Sequence, residues 1–318
     1  MSIYSIISDK QEDEEFSENL ASNMIGQKFL YFGKGAEMYY AKAKMNKVTR
    51  PVFTTEDYVD CIEESIKNIP ELALISLGCG NLEKESNVVK YLSNKHHISL
   101  FGVDSSQEML QSAVNMVANV GVQASLRRAD ITTSDFKRDM ESLLEGYPMR
   151  IYTLLGSTFA NVDQKKIISK LFNLLNVSDF LWLDVALRKG YSPLDDAELY
   201  NRLLQGIISK QEQRDFYFAP LKKERVNMED GDIVLDIVKE AEIGSIKCIY
   251  SFQFKKDFII EHKNDQIPFK IGEKIVLQIV RYYDQNALVK YVNSYGFELV
   301  NQKMIDGVRG QFLFRKKS

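Results

Sequence analysis

Three apolar segments of the sequence are each followed by small or acidic residues that suit ligand binding. Gly78 and Gly80, with Cys79 between them, follow LALISL; Asp104 ends ISLFGVD; and Asp130 ends QASLRRAD. Glycine lets the chain turn sharply and lets a ligand approach the backbone. A carboxylate after the second segment can accept hydrogen bonds from both ribose hydroxyls, and one after the third can accept a bond from an adenine amino group. The spacing therefore predicts a site for an adenosine-containing ligand.

The residues after the two glycines distinguish between ligands of this kind. GCGNLE does not complete the GxGxxG pattern of a dinucleotide-binding loop, and the chain has no GxxxxGK[ST] phosphate loop. Glu83 and Glu85 flank Lys84 where a pyrophosphate would need a helix N-terminus without acids. An adenosyl ligand without phosphates fits better, and S-adenosylmethionine (SAM) is the commonest one. Ser105 and Ile131, each next to one of the two acids, are expected beside it.

These residues lie in a pattern that predicts an α/β fold. Strands and helices alternate through residues 56–190, which is typical of a Rossmann-like core with a parallel sheet covered on both faces and ligands at the carboxyl ends of its strands. Residues 1–55 are expected to form a helical segment that caps the substrate. Residues 191–284 begin with a helix predicted over 195–210 and continue with strands that have no helices between them, which predicts an inserted α+β substrate subdomain. Residues 285–318 predict a helix and a β-hairpin that complete the core sheet.

The composition narrows the expected partners and location. With 41 Lys and Arg against 44 Asp and Glu, the net charge of −3 offers no broad basic surface for nucleic acid. The start of the chain is acidic, and no run of about 18 apolar residues is present, so neither a signal peptide nor a membrane span is expected. Three distant cysteines favour a reducing cytoplasm. The three histidines lie in polar stretches without metal-ligand spacing, and are predicted to be surface residues that bind no metal.

Four stretches resemble the histidine-specific methyltransferases: KFLYFGKGAEMYY, LISLGCGNLEKE, LLGSTFANVD and KIVLQIVRYYDQNALVKYVNSYGF. The resemblance implies a SAM-dependent methyltransferase with the class I fold, a Rossmann-like doubly wound sheet. It also implies that the glycine loop, Lys84 and the two acids hold SAM, with Gly156 and Ser157 near its methionine end.

The same resemblance implies which residues contact the methyl acceptor. Asn161 matches an asparagine that contacts the substrate's amino group, and an amide oxygen suits the orientation of a neutral amine; the alternative is a helix N-cap. Tyr31 matches a tyrosine of the substrate pocket, the alternative being core packing, and Gln278 and Tyr283 are further candidates for contact with the substrate. Where the family has a Glu and a Ser that grip an imidazole, this sequence has Gln278 and Val280. Histidine itself is therefore not the expected acceptor.

These observations predict a SAM-dependent N-methyltransferase that acts on a small amine or an amino-acid-like molecule. Two alternatives remain open at this point. One keeps the cofactor but transfers the methyl group to oxygen or carbon, and the other is a regulatory protein that binds SAM or its product S-adenosylhomocysteine (SAH) without turnover. Five tyrosines are candidates to face a developing ammonium group by cation–π contact: Tyr31, Tyr39, Tyr40, Tyr282 and Tyr283.

Overall fold

The computed structural model describes residues 2–49, 52–156, 158–188, 200–201, 203–206 and 210–317, without the side chains of 44–49, 134 and 135. The strands are β1 Ile3–Ser5, β2 Glu71–Leu77, β3 His97–Asp104, β4 Ala124–Arg128, β5 Arg150–Leu154, β6 Phe180–Ala186, β7 Gly231–Glu240, β8 Ser245–Phe254, β9 Phe258–His262, β10 Asp265–Phe269, β11 Lys274–Tyr283, β12 Phe297–Ile305 and β13 Arg309–Lys316. The helices are α1 Asp9–Ala21, α2 Lys34–Thr49, α3 Thr55–Ile66, α4 Glu83–Leu92, α5 Gln107–Val120, α6 Ser134–Leu143, α7 Thr158–Asn161, α8 Gln164–Leu174, α9 Gln211–Lys223 and α10 Gln285–Ser294. A 3₁₀ turn spans Gln27–Tyr31.

One large sheet has the strand order β1-β4-β3-β2-β5-β6-β13-β12. The strands from β1 to β6 run parallel, whereas β13 is antiparallel to both β6 and β12. The strands that follow β2 in sequence are added first on one side of it, as β3 and β4, and then on the other side, as β5 and β6. The direction of strand order therefore reverses at β2. In an open α/β sheet, a crevice forms beyond the carboxyl ends of the strands at such a reversal. The glycine loop, which follows β2, therefore lies where a ligand is expected.

The apolar character of the parallel strands follows from burial on both faces. Successive residues of β2 alternate between two cores: Ala73 and Ile75 pack in one, and Leu72 and Leu74 in the other. Strand side chains point alternately to the two faces of a sheet, so a strand with both faces covered is apolar throughout. All six residues after Glu71 in β2 are buried.

A second, antiparallel sheet has the order β11-β8-β7, and β9 pairs with β10 in a hairpin beside it. Its core includes side chains of α1 and α9 such as Phe16 and Phe216. The N-terminal segment is attached to it directly, because Ile25 N donates to the Val276 carbonyl at 2.7 Å. The second sheet and the N-terminal segment therefore stand together opposite the carboxyl edge of the large sheet.

The predicted α/β alternation is confirmed, and two expectations need correction. Strand β1 was not predicted, because three residues are too few to display a period. His96 and His262 are buried rather than on the surface, since the His96 ring bonds the Ile69 carbonyl and the His262 ring pairs with Glu224 at 3.0 Å. The helix predicted over 195–210 lies largely outside the described residues. No helix in the described ranges has the length and apolar character needed to cross a membrane.

Candidate active site

A cavity of about 1360 Å³ lies at the carboxyl edge of the large sheet. Eleven of the residues predicted for the site line it: Tyr31, Gly78, Cys79, Gly80, Lys84, Asp104, Ser105, Asp130, Ile131, Gly156 and Asn161. Ser157 lies outside the described residues. Pockets for a single small ligand typically span roughly 300–1,000 Å³, so this cavity has room for a cofactor and an acceptor together.

The glycine loop requires glycine for two different reasons. Gly78 and Gly80 both have positive φ, at 66° and 55°, a region that disfavours residues with a Cβ atom. A Cβ on Gly78 would also lie 2.7 Å from the Cγ2 atom of Thr158 in α7, whereas one on Gly80 would meet only the end of the Met109 side chain, at 3.1 Å. The close approach at Gly78 brings the start of α7 against the loop.

This difference predicts unequal effects of two matched substitutions. Positive φ alone costs a non-glycine residue about 1–2 kcal/mol, and we expect that loss for Gly80→Ala. Gly78→Ala adds a steric conflict worth about 1–3 kcal/mol, because Thr158 is held in α7. Urea unfolding of both variants without ligand should therefore give a lower free energy of unfolding for Gly78→Ala than for Gly80→Ala. Equal free energies of unfolding would contradict this geometry.

Asp104 is held by the backbone on both sides. Gly80 N donates to Oδ2 at 2.9 Å and Ser106 N donates to Oδ1 at 3.0 Å. Burial raises the pKa of Asp104, against the opposing hydrogen bonds from these two amides. A carboxylate has about four lone-pair positions, so each oxygen keeps one for a further donor. Two such acceptors side by side match the two hydroxyls of a ribose.

Asp130 is joined to the N-terminal segment by an ion pair. Lys28 Nζ lies 2.7 Å from Asp130 Oδ2 and also pairs with Glu15, while the Thr132 amide and hydroxyl donate to Oδ1 at 2.8 and 2.6 Å. Burial opposes ionisation, but Lys28 and Thr132 hold the pKa of Asp130 below its usual value. The carboxylate is therefore ionised, and Oδ2 keeps an acceptor position for an amino group.

A buried carboxylate places Lys84 at the other end of the cavity. Asp184 is 0% exposed and pairs with Arg309 at 2.5 Å and Lys84 at 3.2 Å, and it accepts a hydrogen bond from the Tyr58 hydroxyl at 2.9 Å. The Gly156 amide also donates to it, at 3.2 Å. An ammonium group has three donors, so Lys84 has others available in the cavity, where they suit the carboxylate of a methionine moiety.

Asp184 gives the fold a predictable pH dependence. Despite burial, Arg309 and Lys84 hold the pKa of Asp184 well below its usual range. A carboxyl whose pKa is lower folded than unfolded stabilises the protein above the unfolded pKa of about 3.9, and that stabilisation is lost as the pH falls towards the folded value. We expect Asp184→Asn to lower the free energy of unfolding at pH 7 by about 3–5 kcal/mol, because it leaves two cations without their counter-charge.

Urea unfolding across the pH range measures this effect. The difference between wild type and Asp184→Asn should narrow as the pH falls below about 4. Asp232→Asn is the control, because Asp232 pairs with Lys255 on the surface, and exposed pairs contribute about 0–1 kcal/mol. If the difference in free energy of unfolding between wild type and Asp184→Asn stayed constant down to pH 3, the pairing of Asp184 with Arg309 and Lys84 would be contradicted.

Asn161 ends α7 and lines the cavity. Asp163, not Asn161, caps the following helix, since its side chain accepts from Lys166 N at 3.0 Å. The N-cap interpretation of Asn161 is therefore wrong. Within the described part of the chain, the Asn161 amide makes no side-chain hydrogen bond, which leaves it available to a ligand.

Two residues proposed for the substrate pocket do not reach the cavity. Gln278 is 3% exposed and does not line it, whereas Val276, Ile279 and Arg281 do. A register irregularity between Val276 and Gln278 explains this, because a bulge changes which alternate residues face one side of a strand. Tyr283 is also buried, and its hydroxyl lies 3.1 Å from Gln164 Nε2 behind α7.

Aromatic rings form another wall of the cavity. Tyr31, Tyr39 and Tyr40 line it, and the rings of Tyr31 and Tyr39 pack edge to face at 5.1 Å and both contact Phe216. The Tyr31 carbonyl accepts from the Ser106 hydroxyl at 2.8 Å, which holds the 3₁₀ turn beside the Asp104 loop. Burial raises the pKa of Tyr31 and Tyr39, so their hydroxyls remain neutral.

Sequence reasoning missed the charged residues that support the site. Asp184 stands inside the otherwise apolar strand FLWLDVA, and Arg281 stands inside the mostly apolar strand KIVLQIVRYY. A charge that is buried with its strand must be paired, and that was the signal available. Lys28 carried no comparable signal, because it reaches Asp130 only through the fold.

The strand order, the glycine loop after β2 and the acids after β3 and β4 together define a class I SAM-dependent methyltransferase. The family model for histidine-specific, SAM-dependent methyltransferases matches residues 14–197, more than half of the chain. The chain belongs to this family, and SAM is its cofactor. The predictions of the enzyme class and of the cofactor are thereby confirmed. No curated protein matches the chain significantly.

Solved structures with a similar fold include several methyltransferases. A SAM-dependent methyltransferase from Clostridium acetobutylicum ATCC 824 is 16% identical, with a TM-score of 0.46 over 88% of this chain and 99% of that one. Magnesium protoporphyrin IX methyltransferase from Synechocystis PCC 6803, with bound SAH, is 11% identical, with a TM-score of 0.43 over 87% and 94%. A DhpI–SAH complex is 9% identical, with a TM-score of 0.44 over 94% and 98%.

Proposed function

We propose that the enzyme methylates the nitrogen of a small amine or amino-acid-like acceptor other than histidine. The observation that carries this proposal is the Asn161 amide on the cavity wall, which has no side-chain hydrogen bond to any residue that the structure describes. Its oxygen can accept one N–H of a neutral amine and leave the nitrogen lone pair free to attack. An alcohol acceptor would need a general base at that place, because a hydroxyl is a weak nucleophile, and an amide is not a base.

The residues of β11 that line the cavity do not suit histidine as the methyl acceptor. It offers Val276, Ile279 and Arg281, of which two are apolar and the third is a cation already paired with Glu240. The positions expected to replace the family's imidazole clamp, Gln278 and Val280, do not line the cavity. From this strand an imidazole ring would thus gain none of the charge-assisted hydrogen bonds, worth about 1.5–3 kcal/mol each, that a clamp provides.

The residues of the chain divide the work between binding and orientation. Bound SAM supplies an electrophilic methyl group on a sulfonium centre. Asp104 and Asp130 are placed to hold the adenosine part, and Lys84 to hold the methionine carboxylate. Asn161 orients the amine, and alignment within the cavity supplies much of the lowering of the barrier. Tyr31 and Tyr39 exclude water and face the ammonium group that forms.

A panel assay tests the proposal. The purified enzyme is incubated with SAM and each of the twenty amino acids and their decarboxylated amines, and SAH formation and product mass are recorded. We expect N-methylated product from at least one amine, with a kcat/KM for histidine at least roughly tenfold lower, since one lost charge-assisted hydrogen bond is worth that much. Histidine as the best acceptor, or methylation on oxygen or carbon, would overturn the proposal. SAH binding without any turnover would instead support a regulatory protein.

A further inference from the structure

The short helix α7 has carbonyl groups that its own turns cannot satisfy. The last four carbonyls of any helix lack partners within it, and α7 has only the four residues Thr158–Asn161. Side chains from elsewhere provide the donors. Gln164 Nε2 donates to the Phe159 carbonyl at 2.7 Å, and Arg281 Nη1 donates to the carbonyls of Ala160 and Val162, both at 3.3 Å.

The two carbonyls that bind Arg281 belong to the residues on either side of Asn161. Because peptide groups are planar, fixing these two carbonyls restricts the backbone at Asn161, and with it the direction of the amide side chain. The guanidinium reaches this place from β11, far away in sequence, and Arg281 as a whole is 7% exposed. No other side chain in the described ranges donates to both of these carbonyls.

Arg281 is itself fixed by Glu240 at the end of β7. Arg281 Nε lies 2.8 Å from Glu240 Oε2 and Nη2 lies 3.3 Å from Oε1, a two-pronged pair. The Ser245 hydroxyl donates to Glu240 Oε2 at 2.6 Å, and Lys247 lies 3.8 Å from Oε1. Planar two-pronged pairs constrain geometry as well as charge. A continuous set of contacts thus runs from the antiparallel sheet to the backbone that carries Asn161.

We propose that Arg281 is the positioning residue for Asn161, and that Glu240 aligns Arg281 for this role. The inference rests on the proposed function, since it concerns the aim of Asn161 at the acceptor amine. It assigns the antiparallel sheet a part in methyl transfer beyond forming a cavity wall. A lysine at this position keeps the charge, but a single ammonium group cannot reproduce the fork that bonds Glu240 and both carbonyls together.

The first test measures the backbone directly and needs no substrate. Hydrogen–deuterium exchange of the peptide containing residues 158–163 is compared in wild type, Arg281→Lys and Arg281→Met, all with SAH bound. We expect faster exchange in this peptide in both variants and unchanged melting-temperature shifts with SAH. Lys274→Met is the matched control, because Lys274 also joins β11 to β7, by a pair with Asp236 at 2.9 Å, but is remote from α7. Unchanged exchange in the Arg281 variants would overturn the inference.

The second test asks whether Arg281 acts through Asn161. With the best amine of the panel, Arg281→Lys should lower kcat/KM by about 10²-fold, the effect of a misplacement of about 1 Å. In an Asn161→Ala background the same substitution should lower it by no more than about threefold, because coupled residues are not additive. If Arg281→Lys lowered kcat/KM equally in the wild-type and Asn161→Ala backgrounds, the inference would be overturned and Arg281 would have only a structural role. If wild type methylates no amine, the proposed function fails, while the exchange measurement still decides whether Arg281 holds α7.

Discussion

Asp104→Ala should abolish the rise in melting temperature that SAM and SAH produce in the wild-type protein. The Asp104 carboxylate is held by the amides of Gly80 and Ser106 and keeps one acceptor position on each oxygen. Two hydrogen bonds from ribose hydroxyls to a charged acceptor are worth about 1.5–3 kcal/mol each. Their loss weakens binding by at least roughly 100-fold, and the glycine loop loses an anchor as well.

The measurement is differential scanning fluorimetry with increasing SAM or SAH, followed by calorimetry. Asp104→Asn keeps one carbonyl acceptor and should still bind SAM and SAH weakly. This variant therefore distinguishes a loss of ligand binding from a loss of the folded structure. Asp232→Ala removes a surface acid from β7 and should leave the thermal shift unchanged. A full shift in a folded Asp104→Ala protein would contradict the assignment of the ribose position.

The sequence contained enough to predict the core of this site because its signals are local. A glycine loop directly after an apolar strand needs no knowledge of distant residues, since parallel strands bring their carboxyl ends to one edge. Gly78, Asp104 and Asp130 therefore lie on one cavity, as their spacing indicated. The α/β class could be predicted in the same way, because strand-like and helix-like hydrophobic patterns alternate along the chain.

The charged supports of the site and the strand β11 beside the acceptor could not be predicted, because contacts between distant parts of the chain decide them. Lys28 meets Asp130 across 102 positions of the chain, and Arg281 meets Ala160 across 121. The orientation of Gln278 depends on a register irregularity in β11, and a shift of one residue turns a strand's side chains to the opposite face. Tyr283 was expected in the pocket because it is aromatic, but α7 covers it, and its hydroxyl bonds the Phe159 carbonyl of that helix.

Asn161→Ala should produce the second large effect, a loss of methyl transfer without a loss of cofactor binding. The Asn161 side chain lines the cavity and, among the described residues, neither donates a hydrogen bond to Asp104 or Asp130 nor accepts one from Lys84, the residues that bind the cofactor. Orientation of the amine is therefore lost, while the adenosine and methionine ends stay held. We expect kcat/KM for the best amine to fall by about 10²-fold or more, the usual consequence of misaligned reacting groups, with the SAH-induced thermal shift unchanged.

Asn161→Asp tests the chemical reason for an amide at this position. A carboxylate within about 4–6 Å of an amine favours the protonated ammonium form and raises its pKa by about 1–3 units, and an ammonium group has no lone pair for attack. The pH profile of kcat should therefore move to higher pH by about one unit or more, because kcat reports ionisations in the bound complex. An unshifted profile, or full activity of Asn161→Ala at pH 7, would mean that the acceptor nitrogen is not bound at Asn161, and the proposed geometry of transfer would have to be abandoned.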